Sequence, residues 1–234
     1  MFNFLKRKKK KQKTYYELGS EAAMRDDMVT AFKYFHQEAE ESNDAKSQFL
    51  VGFLILNGVG VSKDPKIAAE WFRMAAAQEY PDALYQLGDL YRSGKGLPQS
   101  DRHALAYLKL AADKGHPEAA YQLGMMFKGG KGVRKDDAAS VDYFRAAAEK
   151  GHMKAQYNMG IMASAGRGML KDDTEAARWY LKSAEQGYAI AQYNLGYMYQ
   201  SGRGVPQDYK KALYWFHKSG ESLGEVPPEA DKKQ

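Results

Sequence analysis

The chain contains no cysteine. Disulfides, zinc–thiolate centres and thiol nucleophiles are therefore excluded, and a reducing compartment is permitted. Proline is scarce, at seven in 234 residues. No window approaches the ~18 consecutive apolar residues of a membrane-spanning helix. The opening MFNFLKRKKKKQK puts apolar residues ahead of basic ones, the reverse of a secretory signal. Cytoplasmic residence is the resulting expectation. Also missing is a basic body. The formal charge is +6, yet residues 1–13 hold seven Lys or Arg and no acid, leaving 28 basic against 29 acidic residues elsewhere. A nucleic-acid-binding face on the folded part is not expected.

What is present is enough for a core: 44% of residues are hydrophobic and 13% aromatic, well outside the disordered range. The dominant signal is internal repetition. Gly52, Gly88, Gly124, Gly160 and Gly196 recur every 36 residues, as do the pairs Gly58/Gly60, Gly94/Gly96, Gly130/Gly132, Gly166/Gly168 and Gly202/Gly204. Trp71, Tyr107, Tyr143, Trp179 and Trp215 keep the same step, and so do Ala83, Ala119, Ala155 and Ala191.

Each copy reads as two helices. The leading one opens near Pro81 in its copy, carries Ala83, Leu84, Leu87, Gly88 and Tyr91 at helical spacing, and ends at the glycine pair. The trailing one opens near Ser100, whose counterparts Asp64, Asp136, Asp172 and Asp208 are all N-capping residue types. Glu175, three after Asp172, fits a capping box. Ala104, Tyr107, Leu108, Ala111 and Ala112 share one face, and Gly115, Gly151 and Gly187 close the helix, with Glu79 in that place in the first copy.

The string Ala119-Ala120-Tyr121-Gln122-Leu123-Gly124, then Gly130-Lys131-Gly132-Val133, Asp136 and Ala146-Ala147-Ala148-Glu149-Lys150-Gly151, resembles the Sel-one-like repeat family, related to the tetratricopeptide repeat but with a longer interhelical loop. The resemblance covers residues 45–220. It implies an all-α fold, a right-handed α-α superhelical solenoid of tandem helix–turn–helix repeats, acting as a scaffold or adaptor for a protein partner. An immunity protein that neutralises a specific bacterial toxin is the alternative that the resemblance also implies. The expected organisation is a basic disordered tail over 1–13, a degenerate N-terminal capping pair over 14–43, five repeats over 44–220 and a flexible tail over 221–234. The capping pair rests on Leu18-Gly19 and Tyr34-Phe35, which echo Gly52 and Trp71-Phe72 at a shorter spacing.

Catalytic chemistry finds little support. His36, His103, His116, His152 and His217 show no metal-ligand spacing, and His116 and His152 stand one period apart at a turn. Lys128-Gly129-Gly130-Lys131-Gly132-Val133 lacks the ending and the preceding strand of a nucleotide loop. Asp136/Asp137 and Asp172/Asp173 sit where helix caps are needed. The expectation is a non-enzyme with no metal and no cofactor.

By analogy with tetratricopeptide arrays, three positions around the pre-loop glycine line the inner face. The first holds Phe49, Tyr85, Tyr121, Tyr157 and Tyr193, the second Phe53, Asp89, Met125, Ile161 and Tyr197, and the third Leu56, Arg92, Lys128, Ser164 and Gln200. The first set reads as packing more than as binding. The second is mostly apolar on a surface that should be solvated, which marks an interaction site. The partner is expected to be a peptide or helix laid along this face, which offers aromatic and Met anchors and a charged rim at Asp89, Arg92 and Lys128. In the tail, Lys6, Arg7, Lys8, Lys9, Lys10, Lys11 and Lys13 with Phe2, Phe4 and Leu5 fit weak, salt-sensitive attraction to an anionic membrane surface, at ~1 kcal/mol per basic residue.

Overall fold

The computed structural model describes residues 13–223, with side chains through residue 220. The described residues form twelve helices and no strand: α1 (Tyr15–Met24), α2 (Met28–Ser42), α3 (Ala45–Asn57), α4 (Pro65–Ala77), α5 (Pro81–Ser93), α6 (Asp101–Asp113), α7 (Pro117–Gly129), α8 (Asp137–Glu149), α9 (Met153–Ala165), α10 (Asp173–Glu185), α11 (Ala189–Ser201) and α12 (Tyr209–Leu223). Two compact units divide them, one up to residue 100 with α1–α5 and one from residue 101 with α6–α12. Within each unit every helix packs on the next in sequence. From α3 onward, odd-numbered helices lead each repeat and even-numbered ones trail.

Local chemistry sets the helix ends. Asp64, Asp136 and Asp172 each turn a carboxylate back onto two backbone N–H groups of the first turn, at 2.8–3.1 Å. Asp208 does the same for Lys211 N–H at 3.0 Å. Each such cap is worth ~1 kcal/mol. The capping box expected at Glu175 does not form. Its carboxylate instead takes Arg145 at 3.0 Å and the indole N–H of Trp179 at 3.2 Å. A reciprocal box does close the start of α1, where Thr14 and Glu17 exchange side-chain and backbone bonds.

In the first unit the core is Phe35, Val51, Leu54, Ile55, Phe72, Leu84, Leu87 and Leu90, filled in by Ala68, Ala69 and Ala75. In the second, Phe144, Met159, Met162 and Trp179 pack with four buried alanines and Val141, and Tyr180, Leu195 and Met198 continue the core. Pre-loop glycines permit this density. A β-carbon on Gly124 would stand 2.5 Å from the Phe144 ring. Gly168 adopts φ +69° and lies against the backbone carbonyl of Asp137, one repeat earlier. The second loop glycine thus serves both the turn and the contact with the previous trailing helix.

Buried polar side chains tie successive repeats together. Gln156 donates to the Ala148 carbonyl at 3.1 Å and accepts from Gln186 at 2.7 Å. Gln192 donates to Ala184 O at 3.1 Å, and in the first unit Gln48 donates to the Asn43 side-chain oxygen of the preceding helix pair at 2.6 Å. Ser140, which stands where other copies carry alanine, has a specific partner in the Gly124 carbonyl at 2.9 Å.

Candidate partner-binding face

The first position on the leading helices is an aromatic ladder. In the first unit Phe49 packs on Phe72 of α4 at 5.8 Å and on Tyr80 at 5.4 Å, while Tyr85 on α5 is half-buried. In the second unit Tyr121 meets Phe144 at 5.9 Å and stacks on His152 at 4.5 Å. Tyr157 meets Tyr180 at 5.9 Å and Tyr188 at 5.1 Å, and Tyr193 meets Phe216 at 5.3 Å. Phe49, Tyr121, Tyr157 and Tyr193 each pack on the trailing helix of their own repeat, and the first three also reach the residue that opens the next leading helix. Burial raises the Tyr121 and Tyr157 hydroxyls above their ordinary value. These rings hold the stack together, though half of Tyr193 stays open to solvent.

The second position differs. Phe53 is 41% exposed in the first unit; Met125 and Tyr197 are 38% and 53% exposed in the second. Ile161 packs against the Tyr180 and Leu195 cluster and is only partly accessible. Asp89 does not offer a free charge, because its carboxylate pairs with Arg92 at 2.5 Å one turn later. At the third position Leu56, Ser164 and Gln200 are half-buried. Lys128 is half-buried as well, with its ammonium 3.0 Å from the Asn158 side-chain oxygen on α9. Burial first, then repulsion from Arg167, lowers its pKa below the usual lysine value.

Beside Tyr197, a cavity of about 140 Å³ is lined by Ser164, Tyr180, Asn194, Met198 and Arg203. It is smaller than the ~300–1,000 Å³ of small-molecule sites and suits one side chain of a partner. Arg203 fixes one wall, pairing with Asp173 at 2.7 Å and donating to the Ser164 carbonyl at 3.1 Å. The Asp173 carboxyl is accordingly held below the usual range, chiefly by its bond to Arg203.

The histidines hold a role that the sequence did not disclose. His116 and His152 cap α7 and α9 through Nδ1, which accepts from Ala119 N–H at 3.2 Å and Ala155 N–H at 3.1 Å. With Nδ1 accepting, the proton of His152 lies on Nε2 and points to Glu118 at 2.8 Å. Tyr80 and Tyr188 occupy the same place without a side-chain cap bond, so no recurrent residue type signals the role. Among the described residues no three His, Asp or Glu side chains gather as metal ligands, and no helix is long and apolar enough to cross a membrane. The proposed membrane residues Phe2, Phe4, Leu5 and Lys6 through Lys11 lie outside the described residues. Lys13 lies within them and pairs with Glu21.

The Sel1 repeat model matches this chain five times, over residues 45–80, 81–116, 117–152, 154–188 and 189–222. A protective antigen of uropathogenic Escherichia coli with an SLR fold is similar at 30% identity and TM-score 0.84, over 88% of this chain and 45% of that protein. This chain thus spans less than half the length of that relative. A Sel1 repeat protein from Oxalobacter formigenes is similar at 29% identity and TM-score 0.81, over 88% and 84% of the two chains. The immunity protein Pa5087 from Pseudomonas aeruginosa, at 21% identity and TM-score 0.53 over 89% and 80%, shares the fold.

Proposed function

The chain belongs to the Sel1 repeat family, and we propose that it is a non-catalytic adaptor that holds a protein partner on the face of its leading helices. The observation that carries this reading is the register shared by Phe53, Met125 and Tyr197. All three sit one residue after a pre-loop glycine, and all three are substantially exposed. Burying such side chains against a partner stabilises a complex by about 1.5–3 kcal/mol each, and aromatic anchors of this kind dominate interface energies. The titratable groups with shifted pKa values are engaged in caps, ion pairs and packing, which favours binding over turnover.

Affinity capture from the native host tests the proposal, using the wild-type chain beside a Phe53→Asp, Met125→Glu, Tyr197→Asp variant of unchanged helicity. Loss of the bound protein in the variant supports the reading. Capture of the same protein at equal yield would contradict it. A single partner with toxin activity, neutralised on binding, would make the adaptor an immunity protein.

A further inference from the structure

Successive repeats of the second unit treat one arginine in two ways. In the last repeat Arg203 folds back onto Asp173 at 2.7 Å and onto the Ser164 carbonyl at 3.1 Å. Its counterpart 36 residues earlier is Arg167, and the counterparts of Asp173 and Ser164 are Asp137 and Lys128. There the clamp does not form. Arg167 has no carboxylate within ion-pair distance among the described residues, and Asp137 lies 3.9 Å from Lys135. The residue that differs is the lysine: where the last repeat has the neutral Ser164, the earlier one has Lys128, whose ammonium Arg167 repels and Asp137 attracts.

Lys128 itself is half-buried, and its close partner is a neutral amide oxygen, Asn158 Oδ1 at 3.0 Å. The half-buried ammonium held by an amide and the exposed Arg167 guanidinium act with one carboxylate, Asp137, so the two cations leave the site short of one negative charge. The other charges expected along the leading helices differ, since Asp89 and Arg92 neutralise each other. Met125 lies one turn before Lys128 on the same helix and supplies apolar contact.

We infer that Lys128 and Arg167 together receive a carboxylate of the partner, an Asp or Glu side chain, with Asn158 orienting the lysine. The inference rests on the leading-helix face being the binding surface, and it names the chemistry that the face selects: an acidic residue next to apolar ones. Arg167 supplies a planar pair of donors suited to a carboxylate, and Lys128 supplies a point charge already stripped of part of its water.

The test is side-chain NMR of the full chain, following Lys128 Cε and Arg167 Nε during titration with N-acetylglutamate N-methylamide. Its glutamine twin is the neutral control and inorganic phosphate the competitor. Saturable shifts at both residues are expected, at least fivefold tighter than at exposed Lys63 and Lys210, and absent with the glutamine twin. Lys128→Ser restores the arrangement of the last repeat, so it should fold normally, lose the response, and let Arg167 swing onto Asp137. Equal response to both probes, no saturable shift at Lys128 and Arg167, or displacement of the glutamate probe by equimolar phosphate would overturn the assignment. Partner capture that depends on Phe53, Met125 and Tyr197 without any carboxylate response would sink this inference alone.

Discussion

Phe144 lies so close to Gly124 that a β-carbon on the glycine would stand 2.5 Å from the ring. The same relation joins Gly160 to Tyr180 at 2.5 Å, and Gly196 to Phe216 at 2.8 Å. Phe144 is fully buried, so its ring has nowhere to retreat. Gly124→Ala should cost about 1–3 kcal/mol through overpacking, against the ~1 kcal/mol that alanine gains in a helix interior. Phe216 is only partly buried and has more room to move aside, so Gly196→Ala should cost less than Gly124→Ala. Urea denaturation of the two variants checks the ordering.

Glu79 takes φ +58° at the place where Gly115, Gly151 and Gly187 stand at +85° to +88°. A side chain in this left-handed region costs ~1–2 kcal/mol, and glycine returns part of the gain as greater freedom of the unfolded chain. Glu79→Gly is therefore expected to stabilise by about 0.5–1 kcal/mol, seen as a rise in Tm. A fall would show that the glutamate side chain contributes more than its backbone strain removes.

Alkaline pH should loosen the aromatic ladder. Burial, with help from Asp82, pushes the Tyr80 hydroxyl up to about 12 from an ordinary value near 10. Tyr121, Tyr143, Tyr157 and Tyr180 are raised too, each mainly by burial. A raised pKa means that the folded state favours the neutral phenol. Its contribution is complete below the unfolded value near 10 and is lost as pH climbs through the folded value. Stability should therefore fall between about pH 10 and 12. Phenolate absorbance should show Tyr80 ionising late, and a Tyr80→Phe variant should lose that late step.

Ile161 offers an internal control for the binding face. It shares the register of Met125 and Tyr197 but packs into the core around Tyr180 and Leu195. Ile161→Asp should lower stability by about 1–3 kcal/mol through lost packing and partial desolvation of the carboxylate. Met125→Glu and Tyr197→Asp should change it by less than about 0.5 kcal/mol. Thermal melts of the three variants separate the roles.

The repeat period made the helices, their caps and the pre-loop glycines legible in the sequence, because each is a local requirement repeated at one spacing. The side-chain partnerships were less so. Asp89 and Arg92 read as a charged rim, yet they stand three apart on one helix and neutralise each other. Ile161 read as exposed by its register, but its apolar side chain turns to the core of its own unit. His116 and His152 cap helices through a ring nitrogen, a role invisible at positions where other copies carry tyrosine. The contrast between Arg167 and Arg203 coincides with Lys128 or Ser164 two places before the first loop glycine, and only distances reveal it.

Met125 and Met74 give the most direct test of the central claim. They have the same chemistry and similar exposure, 38% and 44%, but Met125 stands on leading helix α7 and Met74 on trailing helix α4. Oxidative footprinting of the full chain, with and without its captured partner, measures both in one sample. The account predicts that partner binding slows oxidation of Met125 severalfold and leaves Met74 unchanged. Protection of Met74 with Met125 still reactive would contradict it and move the interface to the trailing helices.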